Sequence, residues 1–197
     1  MRLFKKRFAD AGDPPVWMHP IELSQIRAVF EAVQPRRVLE WGTGGSTRYL
    51  LENGPYIERF VSIEHHPGWV EKVRAAVRDP RLTLHHVAAD IPPPDINAPI
   101  SKQVPWIEKA EIDPAIMATY AAFPRSLGER FDLAFVDGRG RIFCMPVAWE
   151  LLEPGGVMIV HDAQRAVYRP TMAALGRATF LEPYHSGQVA VMKKPRA

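Results

Sequence analysis

Apolar and polar positions along this chain fall into short blocks whose period switches repeatedly. Val38-Leu39-Glu40-Trp41, Phe60-Val61-Ser62-Ile63-Glu64, Leu82-Thr83-Leu84-His85-His86-Val87-Ala88-Ala89-Asp90 and Phe131-Asp132-Leu133-Ala134-Phe135-Val136-Asp137 are runs of strand length that carry an acid at or near their ends. Such short runs, bounded by turn residues, predict buried strands of a parallel sheet. A fifth run, Leu151 to Asp162, carries Pro154-Gly155-Gly156 ahead of Val157-Met158-Ile159-Val160. Between the runs, helical spacing recurs over 46–52, 67–78, 114–127, 141–152 and 165–178. A further amphipathic helix is predicted from Pro20 to Gln34, with Ile21, Leu23, Ile26, Val29, Phe30 and Val33 on its apolar face. Alternation of strand and helix predicts an α/β fold, with right-handed crossovers and helices on both faces of a mostly parallel sheet. The last two strands, 179–184 and 188–193, are separated by only His185-Ser186-Gly187, which suits an antiparallel hairpin and no crossover.

Length and composition restrict this picture without changing it. At 197 residues and 22.2 kDa the chain has the size of one domain, expected over 20–197 behind a basic tail over 1–19. The tail cluster Arg2, Lys5, Lys6 and Arg7, interleaved with Leu3, Phe4 and Phe8, reads as a solvated terminus or as a contact for an acidic surface. The single cysteine, Cys144, excludes an intramolecular disulfide and fits a reducing cytoplasm, the expected location. No apolar run approaches the roughly 20 residues of a membrane helix, so no membrane partner is expected. A net charge of +3 gives no ground for a nucleic-acid partner. A homodimer through the hairpin edge is compatible with the pattern and not required by it. Residues 91–113, with Pro92-Pro93-Pro94, Pro99 and Pro105, form the least regular stretch. They are expected to form a lid loop that brings Trp106 to a substrate, or else a stiff surface excursion.

The chemistry begins at the first strand. Glu40 precedes Gly42, Gly44 and Gly45, and Ser46 opens the next helix. Glycines there permit a tight turn and close approach of backbone to ligand. A pyrophosphate-binding dinucleotide turn wants a third glycine where Thr47 stands, and a carboxylate at Glu40 suits a ligand bearing a cationic amine. The pattern acid-x-Gly-x-Gly-x-Ser resembles motif I of the class I S-adenosylmethionine-dependent methyltransferases. Five ordered runs from Val38 to Asp162 extend that resemblance, which is to a small bacterial branch with no assigned substrate. It implies a Rossmann-like, seven-stranded sheet with an antiparallel C-terminal hairpin, and S-adenosylmethionine as cofactor. It further implies a cofactor site of Glu40, Gly42, Gly44, Gly45, Ser46, Glu64, His65, Asp90 and Asp137. In that set Glu64, twenty residues after Gly44, takes the ribose hydroxyls, His65 packs on adenine and Asp90 meets the adenine edge.

In the resembled family a substrate atom displaces the sulfonium methyl in line, and a base helps when the nucleophile must lose a proton. His161 is the candidate base, because an unperturbed imidazole titrates near 6.5; its alternative is a structural histidine. Asp162 and Asp137 complete the expected catalytic group, with Asp162 orienting His161, taking the proton itself or capping a helix. Arg139 and Arg141 point to a small anionic substrate, or to an ion-pair network with Asp137 and Asp162 that stiffens the rim. Ala163 stands where metal-dependent relatives carry an asparagine, so no metal is expected. Two other readings compete with a methyltransferase: a regulatory module that binds the cofactor without transfer, and a nicotinamide oxidoreductase, against which Thr47 and the terminal hairpin speak.

Overall fold

The alternating period resolves into a sheet whose two faces are both buried, because successive residues of each strand point to opposite sides. A computed structural model describes residues 13–95, 98–183 and 187–196. Its strands are β1 (Arg37–Trp41), β2 (Arg59–Glu64), β3 (Leu82–His86), β4 (Phe131–Val136), β5 (Leu152–Val160), β6 (Ala178–Phe180) and β7 (Ala190–Lys193). They form one seven-stranded sheet in the order β3-β2-β1-β4-β5-β7-β6. β1 to β5 are parallel, whereas β7 runs antiparallel to both β5 and β6. Val38, Phe60, Leu133, Phe135 and Ile159 face one core, together with Ile26, Phe30, Leu50 and Leu51 of the helices on that side. Their strand neighbours Leu39, Val61, Ala134, Val136 and Val160 face the other core, against Met117, Tyr120, Cys144, Met145 and Met172.

The helices are α1 (Pro20–Val33), α2 (Gly45–Asn53), α3 (Pro67–Ala76), α4 (Ile100–Ala110), α5 (Pro114–Ala122), α6 (Arg141–Leu151) and α7 (Arg169–Leu175). Three expectations change. The irregular stretch 91–113 contains α4, which pattern reading misses because Pro105 lies inside it and prolines normally end helices. It turns Gln103, Trp106, Ile107 and Ala110 inward at helical spacing and leaves Ile100 exposed. The helix expected over 114–127 tightens after Ala122 into a 3-10 turn, Phe123–Leu127, and a 3-10 turn over Ala166–Tyr168 precedes α7. The terminal hairpin is antiparallel as expected but its strands are shorter, with Leu181 N–H donating to Val189 O beyond them. His185 and Ser186 of its turn lie outside the described residues, as does the basic cluster Arg2, Lys5, Lys6 and Arg7.

Strand order reverses between β1 and β4, and this opens the crevice at their carboxyl ends where ligands of such sheets bind. Gly42, at φ +96°, and Gly138 abut there: a side chain at Gly42 would meet Gly138 N at 2.6 Å. No helix among the described residues is long and apolar enough to cross a membrane.

Candidate active site

The turn after β1 is held from below by a buried acid. Glu40 is fully buried, and its Oε2 accepts from Thr47 Oγ1 at 2.7 Å and Ser62 Oγ at 2.5 Å. Burial pushes its carboxyl up to about 8, against the pull of those two hydroxyls. Its Oε1 has no hydrogen-bond partner among the described residues. Thr47 also accepts from Gly44 N–H at 3.0 Å, so the residue that replaces the dinucleotide glycine ties the turn, the first turn of α2 and Glu40 together. The three glycines differ in role. Space above Gly44 is open, whereas a side chain at Gly45 would meet Pro14 O at 2.5 Å and Val16 N at 2.7 Å. Residues 13–18 therefore pass over Gly45 as a strap, pinned at one end by an Asp13–Arg48 ion pair. At its other end the Trp17 ring meets Trp69 edge-on at 6.3 Å.

At the end of β2, buried Glu64 accepts from His66 N–H at 2.7 Å. His65 Nδ1 lies 2.9 Å from Glu64 Oε1, close enough for a charge pair but not aligned as a hydrogen bond. The His65 ring stacks on Trp106 at 5.9 Å and meets Tyr120 edge-on at 5.6 Å. Asp90 is placed elsewhere: its carboxylate accepts from Thr119 N–H at 2.9 Å and from the Thr119 hydroxyl, exposed and outside the cavity lining. The expected adenine contact is thus occupied with α5.

The ends of β4 and β5 carry a dense charge cluster. His161 is buried, with Nδ1 2.8 Å from Asp137 Oδ1 and Nε2 3.5 Å from Glu22 Oε1 of α1. Burial opposes charging the ring, but Asp137, with help from Glu22 and Asp162, raises its pKa to about 10. Its acidic neighbours thus hold the ring toward the imidazolium form, against the expected part as a base titrating near 6.5. Arg141 is equally engaged: its guanidinium reaches Asp137 Oδ1 at 3.0 Å, Asp162 Oδ2 at 3.3 Å and the Tyr168 hydroxyl at 3.1 Å. The rim network weighed from sequence is therefore what Arg141 forms. Asp162 sits at φ +58°, and despite burial its carboxyl is held below the usual range by Arg141, His161 and Arg165. Arg139 differs from Arg141. It makes no side-chain hydrogen bond among the described residues, its nearest acid being Glu111 at 3.8 Å, and burial together with Arg141 lowers its pKa.

All three strand-end regions open into one cavity of about 590 Å³. It is lined by Gly42, Gly44, Gly45, Ser46, Glu64 and His65, and by Asp137, Arg139, Arg141, His161 and Asp162. Trp17, Trp69 and Trp106 give it an aromatic side. Glu40 lies behind the lining. Among the described residues no group of three or more His, Cys, Asp and Glu side chains is arranged to hold a metal ion. Sequence reading missed Glu22 and Glu111. Glu22 looks like a helix-start acid, and it does close a capping box by accepting from His19 N–H at 2.8 Å. Glu111, which accepts from Tyr168 Oη at 3.0 Å and Arg141 N–H at 3.2 Å, follows the helix that Pro105 conceals.

Three solved structures share this architecture at identities that speak to fold alone. A methyltransferase-like protein from Silicibacter pomeroyi is 19% identical with a TM-score of 0.62, covering 94% of this chain and 92% of that one. Cofactor-bound Rv0187 from MTB is 21% identical with a TM-score of 0.63, over 95% and 86% of the two chains. An O-methyltransferase from Bacillus cereus in complex with SAH is 17% identical with a TM-score of 0.58, over 94% and 84%. No curated protein matches the chain in sequence. A family model described as a methyltransferase domain matches residues 39–163. The chain belongs to that methyltransferase family. In this family member the matched span contains the glycine turn, Glu64, Asp137, Arg139 and His161. The strap with Trp17 and α1 with Glu22 fall outside it.

Proposed function

We propose that this chain binds S-adenosylmethionine and transfers its methyl group to a small acceptor in the same cavity. The observation that carries this reading is the Gly42–Gly138 abutment at the switch point, opening onto one cavity that holds both Glu64 and the Asp137–His161 pair. Two features fit the cofactor. Gly44 leaves open space where a side chain would fill the cradle, and beneath the turn Glu40 keeps a buried carboxyl oxygen without a partner among the described residues, where the charge of a ligand's ammonium would favour the ionised form. Glu64, with one oxygen taken by His66 N–H, would hold ribose hydroxyls, and His65 with Trp106 supplies a stacking surface for a base. Bound S-adenosylmethionine supplies an electrophilic methyl group on a sulfonium. The chain's own contribution is position: Asp137, fixed by His161 and Arg141, and Asp162, fixed by Arg141 and Arg165, frame the acceptor end. Orientation of this kind lowers a barrier by roughly 7 to 11 kcal/mol. A cavity of about 590 Å³ suits a small molecule as acceptor. Arg139 favours an anionic one, and two of the similar structures, from Bacillus cereus and from Streptomyces achromogenes, are O-methyltransferases.

Calorimetric titration of the purified chain with S-adenosylmethionine, S-adenosylhomocysteine and NADH tests the reading. The two adenosyl ligands are expected to bind at micromolar level, with affinity falling at least about tenfold in Glu64→Ala, the loss of one charge-assisted hydrogen bond. NADH is expected not to bind. NADH binding without adenosyl binding would return the chain to the oxidoreductase reading.

A further inference from the structure

Among the described residues the cavity combines several paired acids with one cation, Arg139, that makes no side-chain hydrogen bond and is held only by a loose ion pair with Glu111 at 3.8 Å. Each group at the acceptor end that could take a proton near neutral pH is already engaged. His161 faces acids with both ring nitrogens, Asp137 at 2.8 Å and Glu22 at 3.5 Å, and Asp162 stands behind them at the β5 end. Asp137 is itself shared with Arg141, and Asp162 is shared between Arg141 at 3.3 Å and Arg165 at 3.5 Å. A base works best when its pKa lies near the working pH, and neither a doubly held imidazolium nor an arginine-bound carboxylate meets that condition. His65 and His66 also line the cavity, but at the Glu64 end, where the proposed function puts the ribose. Arg139 presents its guanidinium to the cavity, 32% exposed, with no hydrogen bond and its nearest acid 3.8 Å away. Trp17 and Trp69 add apolar surface to the same cavity.

We propose that the acceptor is a carboxylate carried on an aromatic or apolar body, gripped by Arg139 and methylated on its carboxylate oxygen. This rests on the proposed function and names its substrate class. A carboxylate needs no base: it arrives ionised, one oxygen accepting from Arg139 and the other offering its lone pair. The oxygen lone pair forms the new O–C bond, the S–C bond of the sulfonium breaks, and its electron pair stays on sulfur. The products are a methyl ester and S-adenosylhomocysteine, and no proton is transferred. Cation and anion cancel in the step, which a low-dielectric surrounding favours; Arg139 contributes binding and orientation of the carboxylate rather than stabilisation of developing charge. Glu22 becomes a positioning residue, because its carboxylate stands 3.5 Å from the far nitrogen of His161, near enough to favour the charged ring though not aligned as a hydrogen bond.

Three measurements on the full chain saturated with S-adenosylhomocysteine or S-adenosylmethionine test this. Calorimetry with benzoate, phenol and benzylamine is expected to show benzoate binding alone, weakened about ten- to a hundredfold by Arg139→Gln and partly restored by Arg139→Lys. Affinity for S-adenosylhomocysteine stays within about twofold in both variants, since Arg139 is not assigned to the cofactor. Nitrogen-15 spectra of labelled histidine are expected to show His161 with both ring protons from about pH 6 to about pH 8, and to show it titrating lower in Glu22→Gln. With methyl-labelled S-adenosylmethionine, turnover of aryl carboxylates yields label released as methanol by alkali, at a rate flat across that pH range. Phenol or amine turnover in place of ester formation overturns the proposal. So do benzoate binding that Arg139→Gln leaves intact, no binding by any aryl carboxylate tested, and a neutral His161 at pH 7. Failure to bind either adenosyl ligand would instead strike the underlying function.

Discussion

Glu40 shows how one buried carboxyl couples stability to ligand. Exposed, it titrates near 4.5; burial moves it to about 8 in the fold. The folded chain therefore keeps a proton that the unfolded chain releases between those values, and stability falls as pH rises across that window. The effect is on the order of 5 kcal/mol. Glu40→Gln, a fixed image of the protonated acid, is expected to match the wild type in scanning calorimetry near about pH 4 and to melt roughly 10 to 20 °C higher near about pH 8.5. Equal melting at both values would mean that the carboxyl is not buried as described. Sequence made Glu40 legible as an acid near a cation-binding turn, but not its depth, because depth depends on Ser62 of a strand twenty-two residues away. Asp90 illustrates the reverse: a strand-end acid reads like its neighbours until the Thr119 contact from α5 appears.

At the scale of elements, adjacent glycines serve different masters. Gly44 faces open space and Gly45 faces the strap, which a one-dimensional pattern cannot distinguish because the strap's path over α2 is a tertiary fact. Gly44→Ala is expected to leave the melting temperature within about 2 °C while weakening S-adenosylmethionine at least about tenfold, since only the cradle is filled. Gly45→Ala forces Pro14 and Val16 outward and is expected to cost about 1 to 3 kcal/mol, as overpacking does. It should also alter tryptophan fluorescence through the Trp17–Trp69 pair and speed proteolysis within 13–18. The same thermal response in both variants would remove the distinction. The strands were legible because burial on both faces makes each a short, nearly continuous apolar run bounded by turn residues. α4 was not, because a proline in the middle of a helix hides an amphipathic stripe that Trp106 and Ile107 complete.

For the whole molecule, the His161 cluster gives stability its alkaline limit. The imidazole titrates near 6.5 when unfolded and at about 10 in the fold, so its contribution is full below about 6.5 and is lost as pH rises to about 10. Above about 9 the Glu40 contribution has largely run its course, and Glu40→Gln in both chains removes what remains of it below that pH, which isolates His161. His161→Gln is expected to flatten the slope of unfolding free energy against pH, measured with urea between about pH 8 and about pH 10, by about 1 kcal/mol per pH unit. An unchanged slope would mean that the ring is neutral in the fold. The sheet order has a different consequence, which concerns synthesis. β5 is made before β6, yet its lasting neighbour is β7, made later still and inserted between them. While the chain grows, the edge of β5 is offered first to the wrong strand. β6 spans only Ala178–Phe180, too short to hold that edge, whereas Ala190–Lys193 pairs with strands on both sides. A three-residue β6 offers that edge fewer backbone hydrogen bonds than the four-residue β7 that occupies it.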